Sequence, residues 1–330
     1  MYDVITVGSS TVDVFAETEF SELIKIRDRK KVTSLLAYPS GSKILITRLE
    51  FTTGGGATNT AVALARLGHK VACISKMGCR ANAEKIKRHL KRENIDTRLL
   101  VCAKNGRTGY SIILDSIEHD RTILAFKGSN NDLRFNEIKI NKLKTKWFYF
   151  STMMGESFKT LIKLAKFAQK NNIKIAFNVS EYLANKGLDY IGEILKRTTI
   201  FVLNKDEARL LTKKERIQDM LESLKSFGIK YIVITDGKHL VNVYFNNTIY
   251  ETKPHNIKVV ETTGAGDAFA ASFLSGIIKK NNVEFAIKLA QTNAESVIRY
   301  HGAKNKLLKY REALEIMRKN PIKVTKRRLK

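Results

Sequence analysis

The sequence predicts an α/β fold: a three-layer sandwich with a mostly parallel central sheet, plus a small antiparallel β-sheet lid. Three observations predict it. Short apolar runs alternate with amphipathic stretches at helical spacing, the signature of a parallel sheet covered by helices on both faces. Two segments break that rhythm with strand-like alternation. Glycine-rich turns stand where helices begin.

Taken in order, "DVITVG" (3–8) reads as a short buried strand ending in glycine. Residues 13–53 hold alternating stretches such as "KILITRLEF", with little helical period. "TNTAVALARLG" (58–68) predicts a helix capped by Thr58 or Asn59 and stopped by Gly68. "KVACIS" (70–75) is a strand and "ANAEKIKRHLKREN" (81–94) an amphipathic helix. Residues 108–126 predict a hairpin with a polar turn. "WFYFST", "IKIAFNV", "TIFVLN" and "YIVITDG" continue the strands, with a helix over "SFKTLIKLAKFAQKNN". "LVNVYFNNTIYET" predicts a hairpin turning at Asn246-Asn247. Helices over about 265–280 and 283–299 close a single domain spanning 1–330. The two irregular segments, about 13–53 and 108–126, predict a lid beyond the open end of the main sheet.

Lys and Arg number 59 against 32 Asp and Glu, for a formal charge of +27. A nucleic-acid partner is one reading of such a balance. The cations are scattered through nearly every segment, with no basic helix and no interleaved aromatics, so solvated faces are the favoured account. A mild advantage for anionic substrates is a third. No run of about 18 apolar residues suggests a membrane span, and the N-terminus lacks a signal-peptide pattern. Cys73, Cys79 and Cys102 show no metal-ligand spacing and read as reduced thiols of a cytoplasmic protein. The last thirteen residues carry seven Lys or Arg, and the segment from about 318 to 330 reads as a basic tail dispensable for catalysis.

Ligands of open parallel sheets bind beyond the carboxyl ends of the strands, and the candidate motifs fall there. In "ETTGAGDAF", a helix starting near Ala265 leaves the N–H groups of Gly264, Ala265 and Gly266 without intrahelical partners, at the positive end of the helix dipole. That arrangement suits the charge on a transferring phosphoryl group. Asp267, in the first turn, is placed to take a proton from an attacking hydroxyl. "TTGGGATN" is a second glycine-rich helix start, in which Gly55 and Gly56 allow close backbone approach and Asn59 offers both donors and an acceptor. "NKDE" places Asn204 and Glu207 at capping-box spacing, or near a hydrated Mg²⁺. Asp13, just beyond the first strand, is a loop acid or a clamp for two hydroxyls of a polyol.

Together these pieces resemble the ribokinase-like (PfkB) family of sugar and nucleoside kinases, from Val7 to about Ala303. "ETTGAGDAFAASF" resembles the family's Asp-Thr-Thr-Gly-Ala-Gly-Asp signature, "GGGATN" its Gly-Gly-x-x-x-Asn, "NKDE" its Asn-x-x-Glu, and "DRTILAFKGSNNDL" its lid hairpin and exit. The resemblance implies ATP-dependent phosphorylation of a hydroxyl on a sugar or sugar-like substrate. Asp267 matches the base and Gly264 to Gly266 the anion hole. Asp13, Gly55, Gly56 and Asn59 match sugar-contacting positions, and Asn204 and Glu207 the motif governing magnesium and phosphate. Asn204, Thr235, Gly237 and Asn293 fall where the nucleotide is held. Glu261 replaces an Asp that in several members helps bind a monovalent cation such as K⁺. "KMGCRANAEKI" departs from the usual Gly-x-Asp-x-x-Gly, and Arg107 stands where proline is frequent. A nucleoside kinase is the alternative within the family, and a nucleic-acid-binding or regulatory protein on a retired kinase fold is the alternative outside it. The lid is a dimer interface in many members, so a homodimer is also expected.

Overall fold

The computed structural model describes residues 1–28, 31–115 and 121–329. β1 (Tyr2–Val7) is followed by β2 (Thr11–Glu17), β3 (Glu22–Asp28), β4 (Lys31–Ala37) and β5 (Arg48–Gly54). Next come α1 (Gly56–Arg66), β6 (Val71–Ile74), β7 (Lys76–Gly78), α2 (Ala81–Arg92) and β8 (Val101–Ala103). β9 (Gly109–Asp115) and β10 (Arg121–Phe126) lead to β11 (Thr145–Phe150). The middle of the chain holds α3 (Gly155–Lys170), β12 (Lys174–Asn178), α4 (Glu181–Ala184), α5 (Leu188–Leu195), β13 (Ile200–Asn204), α6 (Lys205–Thr212), α7 (Ile217–Lys225) and β14 (Tyr231–Thr235). β15 (Val241–Phe245), β16 (Thr248–Thr252), α8 (Ala265–Lys280), α9 (Val283–Val297), α10 (Tyr310–Lys319) and β17 (Val324–Arg328) complete it.

The main sheet runs β17-β16-β15-β14-β13-β12-β11-β1-β6. It is parallel from β6 to β14 and antiparallel from β14 to β17. Its strands are apolar on both faces because each face carries helices. Ile5, Val7, Phe148 and Phe150 join one core with α3, α5, α6 and α7. Val4, Trp147 and Tyr149, the alternate residues, join the other core with α1, α2, α8 and α9. Period-two alternation within each strand thus divides the residues between the two helix layers.

The second sheet has the order β10-β9-β2-β5. It is antiparallel at both edges and parallel where β2 meets β9. β3 and β4 form a separate antiparallel pair. The expected turn of the 108–126 hairpin falls on residues 116–120, outside the described residues, while its two strands pair as expected. The hairpin at Asn246-Asn247 has both residues at positive φ, 48° and 59°, where asparagine is tolerated better than most residues.

Three expectations need correction. α1 starts at Gly56 with Gly55 as its N-cap at φ 98°, so neither Thr58 nor Asn59 caps it; instead the Thr58 hydroxyl donates to the Gly54 carbonyl at 2.6 Å, inside the first turn. The basic C-terminal segment is no free tail. β17 pairs with β16 in register Thr252↔Val324 to Thr248↔Arg328, and Ile322 and Leu329 are each 5% exposed. Its alternation, weak in sequence among so many cations, becomes structure because β16 presents an unpaired edge. Finally, Cys79 and Cys102 are joined in a disulfide, and of the three cysteines only buried Cys73 is a free thiol. The parallel pairing of β7 with β8, Met77↔Cys102, sets the two side by side across 23 positions of sequence.

Candidate active site

The carboxyl end of β1 turns at Gly8, and two glycine-rich helix starts converge on it. A Cβ on Gly8 would lie 2.8 Å from Ser151 Cβ, and one on Gly56 2.7 Å from Ser151 Oγ, so backbone meets the end of β11 at contact distance. Gly54 has a further reason to be glycine: a Cβ there would overlap the carboxylate of Asp13, on β2. Asp13 is 7% exposed and accepts from the Thr11 hydroxyl at 2.7 Å. The buried hydroxyls of Ser151 and Tyr149 have no hydrogen-bond partner. A polyhydroxyl ligand supplies partners for orphaned groups of this kind.

From the other side comes α8. Gly264 is its N-cap at φ 81°, pressed against the loop after α9 so closely that a Cβ would lie 2.4 Å from the Ala303 carbonyl oxygen. The Ala265 N–H donates to the Thr262 carbonyl at 3.2 Å. Gly266 and Asp267 follow in the first turn, where N–H groups find no helix carbonyl. A Cβ on Gly266 would meet nothing within 4 Å. The two glycines therefore differ: packing demands the first, and no contact within the protein demands the second.

Asp267 closes the constellation. Its Oδ2 accepts from Asn59 Nδ2 at 2.8 Å, linking α8 to α1 across 208 residues of sequence. Burial raises its pKa to about 6, and the charge of Asp13 pushes the same way; the Asn59 hydrogen bond and the Lys304 charge oppose. Lys304 carried no signal in the sequence. It sits in an irregular loop, yet is 8% exposed, and its ammonium donates to Asn59 Oδ1 at 2.9 Å and to the Thr53 carbonyl. Burial lowers its pKa to about 8, although Asp13 and Asp267 hold it up. An ammonium only donates, so it fixes which end of the Asn59 amide is oxygen and leaves Nδ2 aimed at Asp267.

A second group lies at the carboxyl ends of β13 and β14, where Asn204 is paired with Thr235. Both halves of the capping box form: Asn204 Oδ1 accepts from the Glu207 N–H at 2.8 Å, and Glu207 Oε2 from the Asn204 N–H at 2.7 Å. Burial raises Glu207 to about 7, with Glu181 and Asp206 adding to the rise against the Asn204 hydrogen bond. Gly237, at φ 52°, lies in the exposed loop after β14, and Lys205 pairs with Asp236 there at 2.9 Å. Among the described residues, no three His, Cys, Asp or Glu side chains are arranged to hold a metal directly.

Asn293 is not with them. It is fully buried, its Nδ2 donates to Ser272 Oγ at 2.7 Å, and its Oδ1 accepts from the Leu308 N–H at 3.0 Å. Its side chain ties α9 to α8 and to the segment before α10. Glu261 lies beside the α8 start and accepts from the Gly302 N–H at 2.7 Å through Oε2. Its Oε1 and the Thr263 hydroxyl are buried without partners.

With this geometry in place, comparison with known proteins identifies the class. The pfkB family carbohydrate kinase model matches residues 14–309, and the chain belongs to that family. An uncharacterized sugar kinase of Archaeoglobus fulgidus is 28% identical over 245 residues, covering 74% of this chain and 97% of its own. Among solved structures, a nucleoside kinase of Methanocaldococcus jannaschii, an archaeal member of the ribokinase family, superposes with a TM-score of 0.78 at 22% identity, over 96% of this chain and 99% of its own. A putative ribokinase II of E. coli in complex with ATP and Mg²⁺ gives 0.81 at 16% identity, over 97% and 100%. The fold is that of the ribokinase-family kinases, and no helix among the described residues is long and apolar enough to cross a membrane.

Proposed function

We propose that the protein transfers the γ-phosphoryl group of ATP to a hydroxyl of a sugar or sugar-like acceptor. The observation that carries this reading is the Asp267 carboxylate: at a glycine-lined helix start, desolvated to a pKa of about 6, and oriented by Asn59. A base with that pKa is ionised at neutral pH and still basic enough to accept a proton in the transition state. Asp13, Asn59 and the free hydroxyl of Ser151 would hold the acceptor, with Gly55 and Gly56 letting it approach the backbone. The first-turn N–H of Gly266 would face the phosphoryl group as charge develops on it, and that of Ala265 would join it on leaving the Thr262 carbonyl.

The family match and the sugar-kinase relative support a sugar over a nucleoside. The nucleoside alternative draws on the M. jannaschii neighbour, whose likeness is one of fold. ATP fits the edge formed by Asn204, Thr235 and Gly237. When bound, Mg²⁺ neutralises charge on the phosphates. Glu207 would hold it through water: burial raises its pKa, with Glu181 and Asp206 adding negative charge, and a hydrated cation would offset both. The orphaned oxygens of Glu261 and Thr263 suit a monovalent cation such as K⁺ beside the anion hole. A homodimer through the lid completes the reading, because Phe51, Ile112 and Leu124 of β5, β9 and β10 are exposed and lie in one cross-strand row with the buried Val14 of β2 between them.

The test is an ATP-coupled screen over sugars, sugar acids, phosphosugars and nucleosides, with and without K⁺. Turnover of a sugar-like acceptor that is lost in Asp267→Asn supports the proposal. Absence of turnover with every acceptor overturns it.

A further inference from the structure

Behind the acceptor site lies a cavity of about 560 Å³ between α2, β5 and the loop after α9. None of Asp13, Gly55, Gly56, Asn59 and Asp267 lines it. Its walls carry Lys85, Arg88, His89, Arg92 and Lys304, and no carboxylate. The acids nearby are already engaged: Glu93 is held by Arg66 at 2.6 and 2.9 Å, and Glu50 by Arg48 at 3.1 Å. Arg88 and Arg92 are exposed at the rim and make no ion pair among the described residues. The floor holds two polar atoms without partners, His89 Nε2 and the hydroxyl of Thr53, a residue only 7% exposed. Cations gathered around a cavity repel one another, and buried polar atoms without partners carry a desolvation cost. An anion in the cavity relieves both.

We propose that this cavity binds a small phosphate-bearing anion, and that its occupancy acts on the acceptor site through Lys304. The volume lies within the range of small-molecule sites, well above that of a single water. Two guanidinium groups present the planar donor forks that match phosphate oxygens, and Lys85 adds a point charge. Lys304 is the shared element. An ammonium has three donors, and two are committed to Asn59 Oδ1 and the Thr53 carbonyl, so one remains for the anion. Anion binding keeps Lys304 charged and thereby holds Asn59 aimed at Asp267. The burial that lowers the pKa values of Lys304 and His89 is the burial an anion would offset. The binding claim stands independently of the proposed kinase reaction; the coupling claim rests on it.

Two sources share this chemistry, free phosphate and a phosphate ester, and they can be titrated separately. Calorimetry on the full chain would use inorganic phosphate in one arm and glycerol 3-phosphate in the other, each with and without saturating ADP and Mg²⁺. One site is expected that persists with ADP present, weakens with added salt, and whose Kd rises at least about tenfold in Arg88→Ala/Arg92→Ala. The arm with the lower Kd identifies the source. Should the double variant fail to fold, Lys85→Gln takes its place with the same expected direction. Absence of binding in both arms, loss of binding when ADP is present, or equal affinity in wild type and variant overturns the site. For the coupling, turnover is measured with and without the better-bound anion. A lower KM for the acceptor in wild type, absent from the double variant, is expected. An unchanged KM despite calorimetric binding overturns the coupling and leaves the site.

Discussion

Asp267→Asn separates catalysis from folding in a way that follows from the position of this one carboxyl. The fold raises its pKa from 3.8 to about 6. A carboxyl with a raised folded-state pKa binds more protons folded than unfolded between those two values, so it lowers stability as pH rises through that window. The full shift amounts to roughly 3 kcal/mol, felt above pH 6 and absent below pH 4. Asparagine keeps the shape and can still accept from Asn59 Nδ2 through its own oxygen. The variant should therefore be more stable than wild type at pH 7, by up to about 3 kcal/mol, and equal to it at pH 4. Turnover should fall about 10²–10⁴-fold, the usual loss for a positioned general base. In wild type, kcat/KM should fall below about pH 6 as the base is protonated. Urea unfolding at the two pH values and a pH–rate profile check all three. If turnover in Asp267→Asn stays near wild type, or if the variant is less stable at pH 7, Asp267 is a helix-start residue and the reasoning fails.

The two glycines of the same helix start should respond in opposite ways. Gly264→Ala must place a methyl group 2.4 Å from the Ala303 carbonyl oxygen at positive φ, so thermal unfolding should show a loss of at least about 2 kcal/mol. Gly266→Ala meets open space and should keep or slightly gain stability, while steady-state assays show reduced turnover because the methyl lies where the phosphoryl group approaches. Glu207→Gln retains the capping hydrogen bond but removes the charge; a magnesium titration should shift to higher concentration, and an unchanged titration would leave Glu207 as a cap alone. Deleting residues 320–330 strips β17 from β16 and exposes what Ile322 and Leu329 cover, so stability should drop by about 3–5 kcal/mol, read by denaturant midpoint.

Much of the fold was legible because its signals are local. The period of most apolar runs, the Asn-Asn turn and the reciprocal Asn204–Glu207 cap depend on residues within a few positions of one another, and the structure shows them, although of the alternating run at 43–51 only the part from Arg48 is strand. The starts of α1 and α8 were visible as glycine clusters for the same reason. What those glycines are for was not visible. Gly54, Gly55 and Gly56 look alike in sequence, yet the first clears Asp13, the second takes a left-handed φ against Ser9 and the third meets Ser151.

The sequence by itself determined the alternation of strands and helices, the family, and the residues whose chemistry suits phosphoryl transfer. Only the tertiary structure decided which of them meet, because distant segments reach one another through sheet order and helix packing. Lys304 reaches Asn59 across 245 residues of sequence, Cys79 meets Cys102 through the pairing of β7 with β8, and Asn293 bonds Ser272 in the α8–α9 contact. The basic C-terminal segment became an edge strand because β16 had an unfilled row of hydrogen bonds, a vacancy that no reading of residues 318–330 alone contains.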